Sequence, residues 1–146
     1  MDILSNFAEN LSMLMEERDL NAPALAKILN IDRSNVTRYV RGIRFPLYQS
    51  FIALIEYFNV SADVLLGRVD FVSEANFHPV LPFGERLRQV MKETETTQYK
   101  IERDLKISGA SMYKWLFSQC YPSVESLAKL ADYMDVSIDY LLGRVR

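Results

Sequence analysis

Slid by 76 residues, the 146-residue chain aligns on itself without a gap. Phe7, Glu9, Leu11, Met15 and Glu17 fall on Phe83, Glu85, Leu87, Met91 and Glu93, and Leu29 and Ile31 fall on Leu105 and Ile107. Farther on, Pro46, Ser50, Leu54, Tyr57, Val60, Ser61 and Asp63 fall on Pro122, Ser126, Leu130, Tyr133, Val136, Ser137 and Asp139. The run LLGRV closes both copies, at Leu65 to Val69 and Leu141 to Val145. A gapless register across a whole unit means one fold used twice. The expected division is a first domain at residues 1–69, a linker at 70–82 and a second domain at 83–146.

Hydrophobic spacing predicts that each unit is all-α. Leu4, Phe7, Leu11 and Leu14 open the first with an amphipathic helix, as Phe83, Leu87, Val90 and Met91 open the second. Pro46 and Pro122 mark loops, after which fourth helices bury Phe51, Leu54, Ile55 and Phe58, or Leu127, Leu130, Ala131 and Met134. Ser61 and Ser137 are placed to cap a short fifth helix ending at Gly67 and Gly143. The expectation is two tandem five-helix bundles. The segment 70–82 holds Pro79 and Pro82 but also Phe71, Val72, Phe77, Val80 and Leu81, so it reads as a partly apolar linker that packs on one or both bundles.

Between the first and fourth helices of the first unit lies APALAKILNIDRSNVTRYVRGIR, Ala22 to Arg44. Asn21 is a plausible cap, Pro23 fits a first turn, and Leu25, Ile28 and Leu29 share a side. Asn30 suits a left-handed turn residue, Ile31 plugs the gap, Asp32 is placed to cap a second helix, and Gly42 closes it. This is a helix-turn-helix. With Val36, Tyr39 and Val40 inward, Arg33, Ser34, Asn35, Thr37, Arg38 and Arg41 project outward with no acid among them. Such a row supplies what major-groove readout needs: guanidinium forks for guanine, amides for adenine, hydroxyls for either, and charge for phosphate.

Bulk composition restricts the classes further. A net charge of −2 and a pI near 5.5 argue against a nonspecific nucleic-acid coat but leave room for a local basic patch. The start of the chain lacks a signal-peptide pattern and no apolar run suits a bilayer, so a cytoplasmic protein is expected. The single cysteine, Cys120, fits a reducing compartment. His78 has no metal-binding companion at ligand spacing, and no phosphate-gripping glycine loop or zinc motif occurs. The chain therefore reads as a non-enzyme with no cofactor, metal or small-molecule ligand.

Leu25-Ala26, the turn NID, SNVTRYVRGIRFP and the tail YFNVSADVLLG make the unit resemble the phage repressor and Cro family of helix-turn-helix domains, also called the Xre family. MYKWL, CYPS and YMDVSIDYLLG carry the likeness into the second unit. The resemblance implies lambda-repressor-like bundles that bind double-stranded DNA sequence-specifically for transcriptional control, often in a two-fold arrangement with a second copy. It places Arg33, Ser34, Asn35, Thr37 and Arg38 on bases and Lys27, Arg41 and Arg44 on phosphates. In the second unit it points to Gln98, Ser111, Tyr113 and Lys114, on a face thinned by Gly109, Ala110, Phe117 and Cys120. Glu102 stands where the family wants a small residue, and Lys106 where it wants a turn glycine. The second unit is read either as a weaker DNA contact or as scaffold or dimer surface.

Tyr39, Trp115, Phe58, Tyr57 and Tyr133 lie at core spacing, whereas spacing leaves Tyr48, Tyr99 and Phe117 open between core and surface. The acidic pI and the thinned second unit favour the rival class, a helix-turn-helix-derived protein-interaction module of antitoxin or anti-repressor type, to which Tyr48 and Phe117, if exposed, would offer a surface. If the two recognition helices stood about 34 Å apart, one chain would cover two successive major grooves; otherwise a second copy is needed.

Overall fold

The computed structural model describes residues 2–73 and 76–146, and these contain ten α-helices and no strand. They divide into two compact units, Met1–Asn76 and Phe77–Arg146. The expected linker thus falls on both sides of the division, and its Glu74 and Ala75 lie outside the described residues.

Unit 1 consists of α1 (Ile3–Glu17), α2 (Ala22–Leu29), α3 (Arg33–Val40), α4 (Tyr48–Phe58) and α5 (Ala62–Leu65). Its centre is Phe7, whose ring meets Tyr39, Phe45 and Phe51 at centroid distances of 6.2, 5.6 and 6.4 Å. Tilted and edge-on pairs of this kind add about 0.5–1.5 kcal/mol each beyond the area they bury. Leu11, Leu25, Val36, Leu54 and Ile55 complete a fully buried cluster, so α3 is anchored by its inward stripe while its other face is left to water.

Local chemistry accounts for the helix-turn-helix. The Asn21 side chain accepts from the Ala24 amide at 2.9 Å and starts α2. Asn30 takes the left-handed conformation at φ 56°, ψ 47°, which lets the Ile31 amide close back on Ala26 O at 2.9 Å. Two expectations are corrected. Ile28 is 48% exposed while Ala26 is buried, because the inward stripe of α2 is Ala22, Leu25, Ala26 and Leu29, and Ile28 falls off it. Asp32 occupies the N-cap position of α3 without a side-chain bond; its backbone carbonyl takes the Asn35 and Val36 amides instead.

Unit 2 consists of α6 (Phe83–Glu93), α7 (Gln98–Leu105), α8 (Gly109–Phe117), α9 (Val124–Tyr133) and α10 (Ile138–Leu141). The starts of α7, α8, α9 and α10 each lie 76 residues after those of α2, α3, α4 and α5. Left-handed residues recur at the same offset, Asp19 with Glu95, Asn30 with Lys106, Asn59 with Asp135 and Gly67 with Gly143. Equivalent side chains also do equivalent work. Asn10 donates to Val64 O and Leu65 O at 3.1 and 3.0 Å, and Arg86 donates to Tyr140 O at 3.0 and 2.7 Å, so each first helix satisfies the carbonyls of its own short last helix.

The units differ at the end of the third helix, by one residue at the end of the fourth, and before the first. Ser118 replaces the glycine that stops α3, so α8 runs one residue longer and the left-handed residue becomes Gln119. Before α6, Pro79 and Pro82 prevent the helix from starting early, and residues 77–82 form an extended strap. The His78 amide donates to Arg144 O at 2.9 Å, the Leu81 amide donates to Leu142 O at 3.0 Å, and the Phe77 ring lies 4.3 Å from the Arg144 guanidinium. Beneath it the Arg144–Asp139 pair, at 2.6 Å, is shut from water. The linker's apolar character is therefore used on one side of the division, by unit 2, while Phe71 of unit 1 stays 77% exposed.

Candidate nucleic-acid interface

In unit 1, Arg33, Ser34 and Arg38 of α3 and the following Arg41 and Arg44 are exposed, Thr37 and Asn35 are half-buried, and Val36 and Tyr39 are buried. The outward row read from the sequence is thus outward. It walls an open groove of about 520 Å³ lined by Ala22, Pro23, Arg33, Ser34, Thr37, Arg38, Arg41 and Ile43. Three guanidiniums and two hydroxyls face this groove without a carboxylate, and the first turn of α2 adds the positive end of its dipole. Lys27 is exposed on α2 but outside the groove lining, and Arg44 also lies outside it.

Five of the seven Lys and Arg residues of unit 1 fall between Lys27 and Arg44 against a single acid, Asp32. The overall acidity of the chain is therefore compatible with one strongly basic face. Burial pushes the Tyr39 phenol above its ordinary range, with the nearby Arg44 charge pulling the other way. The Arg44 side chain reaches back to α3, where its Nη2 donates to Asn35 Oδ1.

Asn35 organises the two arginines. Its Oδ1 accepts from Arg38 Nη1 at 3.1 Å and from Arg44 Nη2. In this arrangement Asn35 has both lone pairs of that oxygen engaged. It acts here as a clip that holds two guanidiniums side by side, a role the sequence pattern did not suggest. Thr37 Oγ1 donates to Arg33 O at 3.1 Å and keeps its lone pairs outward.

The corresponding face of unit 2 has a different chemistry. On α8, Gly109, Ala110 and Lys114 are exposed, Tyr113 and Phe117 are 58% and 57% exposed, and their rings meet at 5.3 Å. Arg88 of α6 lies over the Phe117 ring at 5.3 Å and donates to Leu116 O. Ser111 is half-buried and its hydroxyl and amide are both engaged by Ser108 Oγ, at 3.0 and 3.1 Å; Gln98 is half-buried at the start of α7. Glu102 is half-buried, its Oε1 packed over Gly109 at the start of α8. Lys106 takes the turn at φ 58° despite its side chain.

Beside this face, Arg103 donates to Asp104 at 2.7 and 3.1 Å and the Tyr133 hydroxyl donates to the same carboxylate. The Arg103 bonds first, then that of Tyr133, hold the Asp104 carboxyl down to about 2. Tyr133, Tyr57 and Trp115 are half-buried rather than core, and of the three aromatics left open Tyr48 is buried at 7%, because it begins α4 facing inward while Leu47 takes the outward place, whereas Tyr99 and Phe117 are exposed. Cys120 is exposed, no group of three potential metal ligands occurs among the described residues, and no helix there is long and apolar enough to cross a membrane.

Residues 86–146 match the Cro/C1-type HTH DNA-binding domain. The second unit therefore carries a helix-turn-helix domain of that type, with α7 and α8 as its helix pair. The chain is also similar to two transcriptional regulators. It is 32% identical over 63 residues to the HTH-type transcriptional activator BcrR of Enterococcus faecalis, covering 43% of this chain and 31% of that protein. It is 37% identical over 60 residues to the cryptic phage CTXphi transcriptional repressor RstR of Vibrio cholerae serotype O1, covering 41% of this chain and 54% of that protein. The chain thus spans about a third and about half of these relatives. No solved structure matches it.

Proposed function

We propose that the protein is a sequence-specific double-stranded DNA-binding transcriptional regulator, and that unit 1 is a second, diverged copy of the domain matched in unit 2. The observation that carries the reading is the carboxylate-free groove on α3 bearing Arg33, Arg38 and Arg41 with Ser34 and Thr37. Guanidiniums at the start and middle of an exposed helix meet base edges, and those beyond its end meet phosphates. Arg33, Ser34, Thr37 and Arg38 then read bases, Arg41, Arg44 and Lys27 hold the backbone, and Asn35 fixes Arg38 and Arg44. Both similar regulators control transcription by name, one as an activator and one as a repressor, so the sign of control is left open.

The tandem reading is supported by the common 76-residue offset of four helix starts and by the matching work of Asn10 and Arg86. Of the two aromatics named for the interaction-module reading, Tyr48 is buried, while Phe117 is exposed beside Tyr113. Selection of bound duplexes from a random pool by the full chain tests the proposal. A recurrent sequence supports it, whereas recovery of unenriched DNA overturns it.

A further inference from the structure

The faces of α3 and α8 occupy equivalent places in their units, yet their chemistry is opposite. Where α3 and the residue after it present Ser34, Thr37 and Arg41, the same offset on α8 presents Ala110, Tyr113 and Phe117. These three lie at positions i, i+3 and i+7, on one side of the helix, and all are exposed. No acid occurs in α8, and cations stand at the stripe's margins, Lys114 on the helix itself and Arg88 over Phe117. A helix with an apolar middle and cationic edges fits the major groove where the base edges are themselves apolar. The one apolar group there is the 5-methyl of thymine.

We infer that α8 reads thymine methyl groups through Ala110, Tyr113 and Phe117, so that the duplex recognised by the full chain has two unlike parts, one bearing guanines for the α3 arginines and one rich in thymine for α8. This rests on the DNA-binding reading above and adds the base class that unit 2 selects. The small residues at the head of the helix serve the same end. Ala110 holds little that would keep the backbone away from the bases, while Glu102 Oε1 packs over Gly109 just before it, and Tyr113 and Phe117 support each other's rings, which limits the entropy lost on docking.

Replacing thymine by uracil in a selected duplex removes the methyl and leaves the pairing edge intact. For the full chain, each contacted methyl lost lowers affinity about fourfold, the equivalent of one buried carbon, and only in the part of the site that lacks the critical guanines. The doubly substituted chain Tyr113→Ala, Phe117→Ala retains only the uracil penalty of the methyl at Ala110, and because both side chains are more than half exposed its melting temperature stays near that of the parent. The inference is overturned if uracil has no effect on a duplex the parent binds specifically, if the selected site is a perfect palindrome, or if the double substitution leaves the uracil penalty unchanged. Failure to bind any duplex would instead remove the DNA-binding reading, and this inference with it.

Discussion

Glu102 and Gly109 form a matched pair in unit 2: a Cβ on Gly109 would stand 3.0 Å from Glu102 Oε1. In unit 1 the same two positions hold Ala26 and Arg33. A small residue on the second helix leaves room for a long one at the head of the third, and a long one on the second helix goes with a glycine on the third. The large departure at Glu102 is thereby absorbed within the helix-turn-helix, with glycine at the position that arginine holds at the head of α3.

The same pair gives a graded test of packing. Gly109→Ala meets only the tip of a flexible carboxylate and removes a glycine from a helix, so stability changes by less than about 1 kcal/mol. Gly84→Ala meets backbone, with Leu116 O at 2.7 Å and Trp115 O at 2.9 Å from the new Cβ, so α6 and α8 must part at a cost of about 1–3 kcal/mol. Urea unfolding of the two variants is expected to show Gly84→Ala as clearly the less stable; the reverse order would contradict the helix crossing.

Burial separates two like ion pairs. Arg144 and Asp139 are 1% and 3% exposed, whereas Arg68, paired to Asp63 at 2.9 Å, is 15% exposed. Removing one member of a fully buried pair strands the other charge and costs about 3–5 kcal/mol. Asp139→Ala is expected to approach that loss and Asp63→Ala to fall well short of it, since water reaches Arg68. Thermal unfolding of the two variants checks the order.

Asp104 sets an acid limit on one local contribution. Its carboxyl titrates near 3.8 when free and at about 2 in the fold, so the charged form is favoured by folding. The resulting stabilisation is present above pH 4 and is lost as pH falls toward 2. The side chain is 37% exposed, so solvent screens the pair and the contribution is small. The melting temperature of Asp104→Asn is expected to lie below that of the parent at pH 5 and to converge on it at pH 2.

Much of the fold was legible because it follows local rules. Asn30 as a left-handed turn residue, Ser61 and Ser137 as caps and the buried stripes of α4 and α9 each rest on residue type and spacing within a few positions. What was missed depends on partners distant in sequence. Nothing near Arg86 points to Tyr140 O, and Phe77 reads as a greasy linker residue until Arg144 is beneath it. Periodicity also leaves the phase at a helix's first residue open, which is why spacing does not settle Tyr48.

The site was legible as a row but not as a mechanism. Arg33, Ser34 and Arg38 are outward as their spacing predicts, yet the engagement of Asn35 by both Arg38 and Arg44 depends on Arg44, which lies beyond the helix. The family match falls on the unit whose contact face is the thinner of the two. Family likeness is carried largely by the framework that packs the helices, whereas the residues that would meet a particular duplex are free to diverge.

Arg41 and Arg33 are assigned different work and should respond differently to substitution. Arg41→Ala is expected to weaken binding to all duplexes alike and to reduce the slope of log affinity against log salt by about one. Arg33→Ala is expected to cost about 1–3 kcal/mol on the selected duplex and to relax preference at a single base pair. Anisotropy titrations across a salt series separate the two.

Methylation of guanine N7 asks directly whether the α3 arginines enter the major groove, because it blocks that acceptor and leaves Watson–Crick pairing in place. On a selected duplex, the account predicts that methylation at a small set of guanines prevents the full chain from binding, and that Arg33→Ala or Arg38→Ala makes binding indifferent to methylation at one of them. Specific binding by the full chain that no guanine methylation disturbs would contradict it.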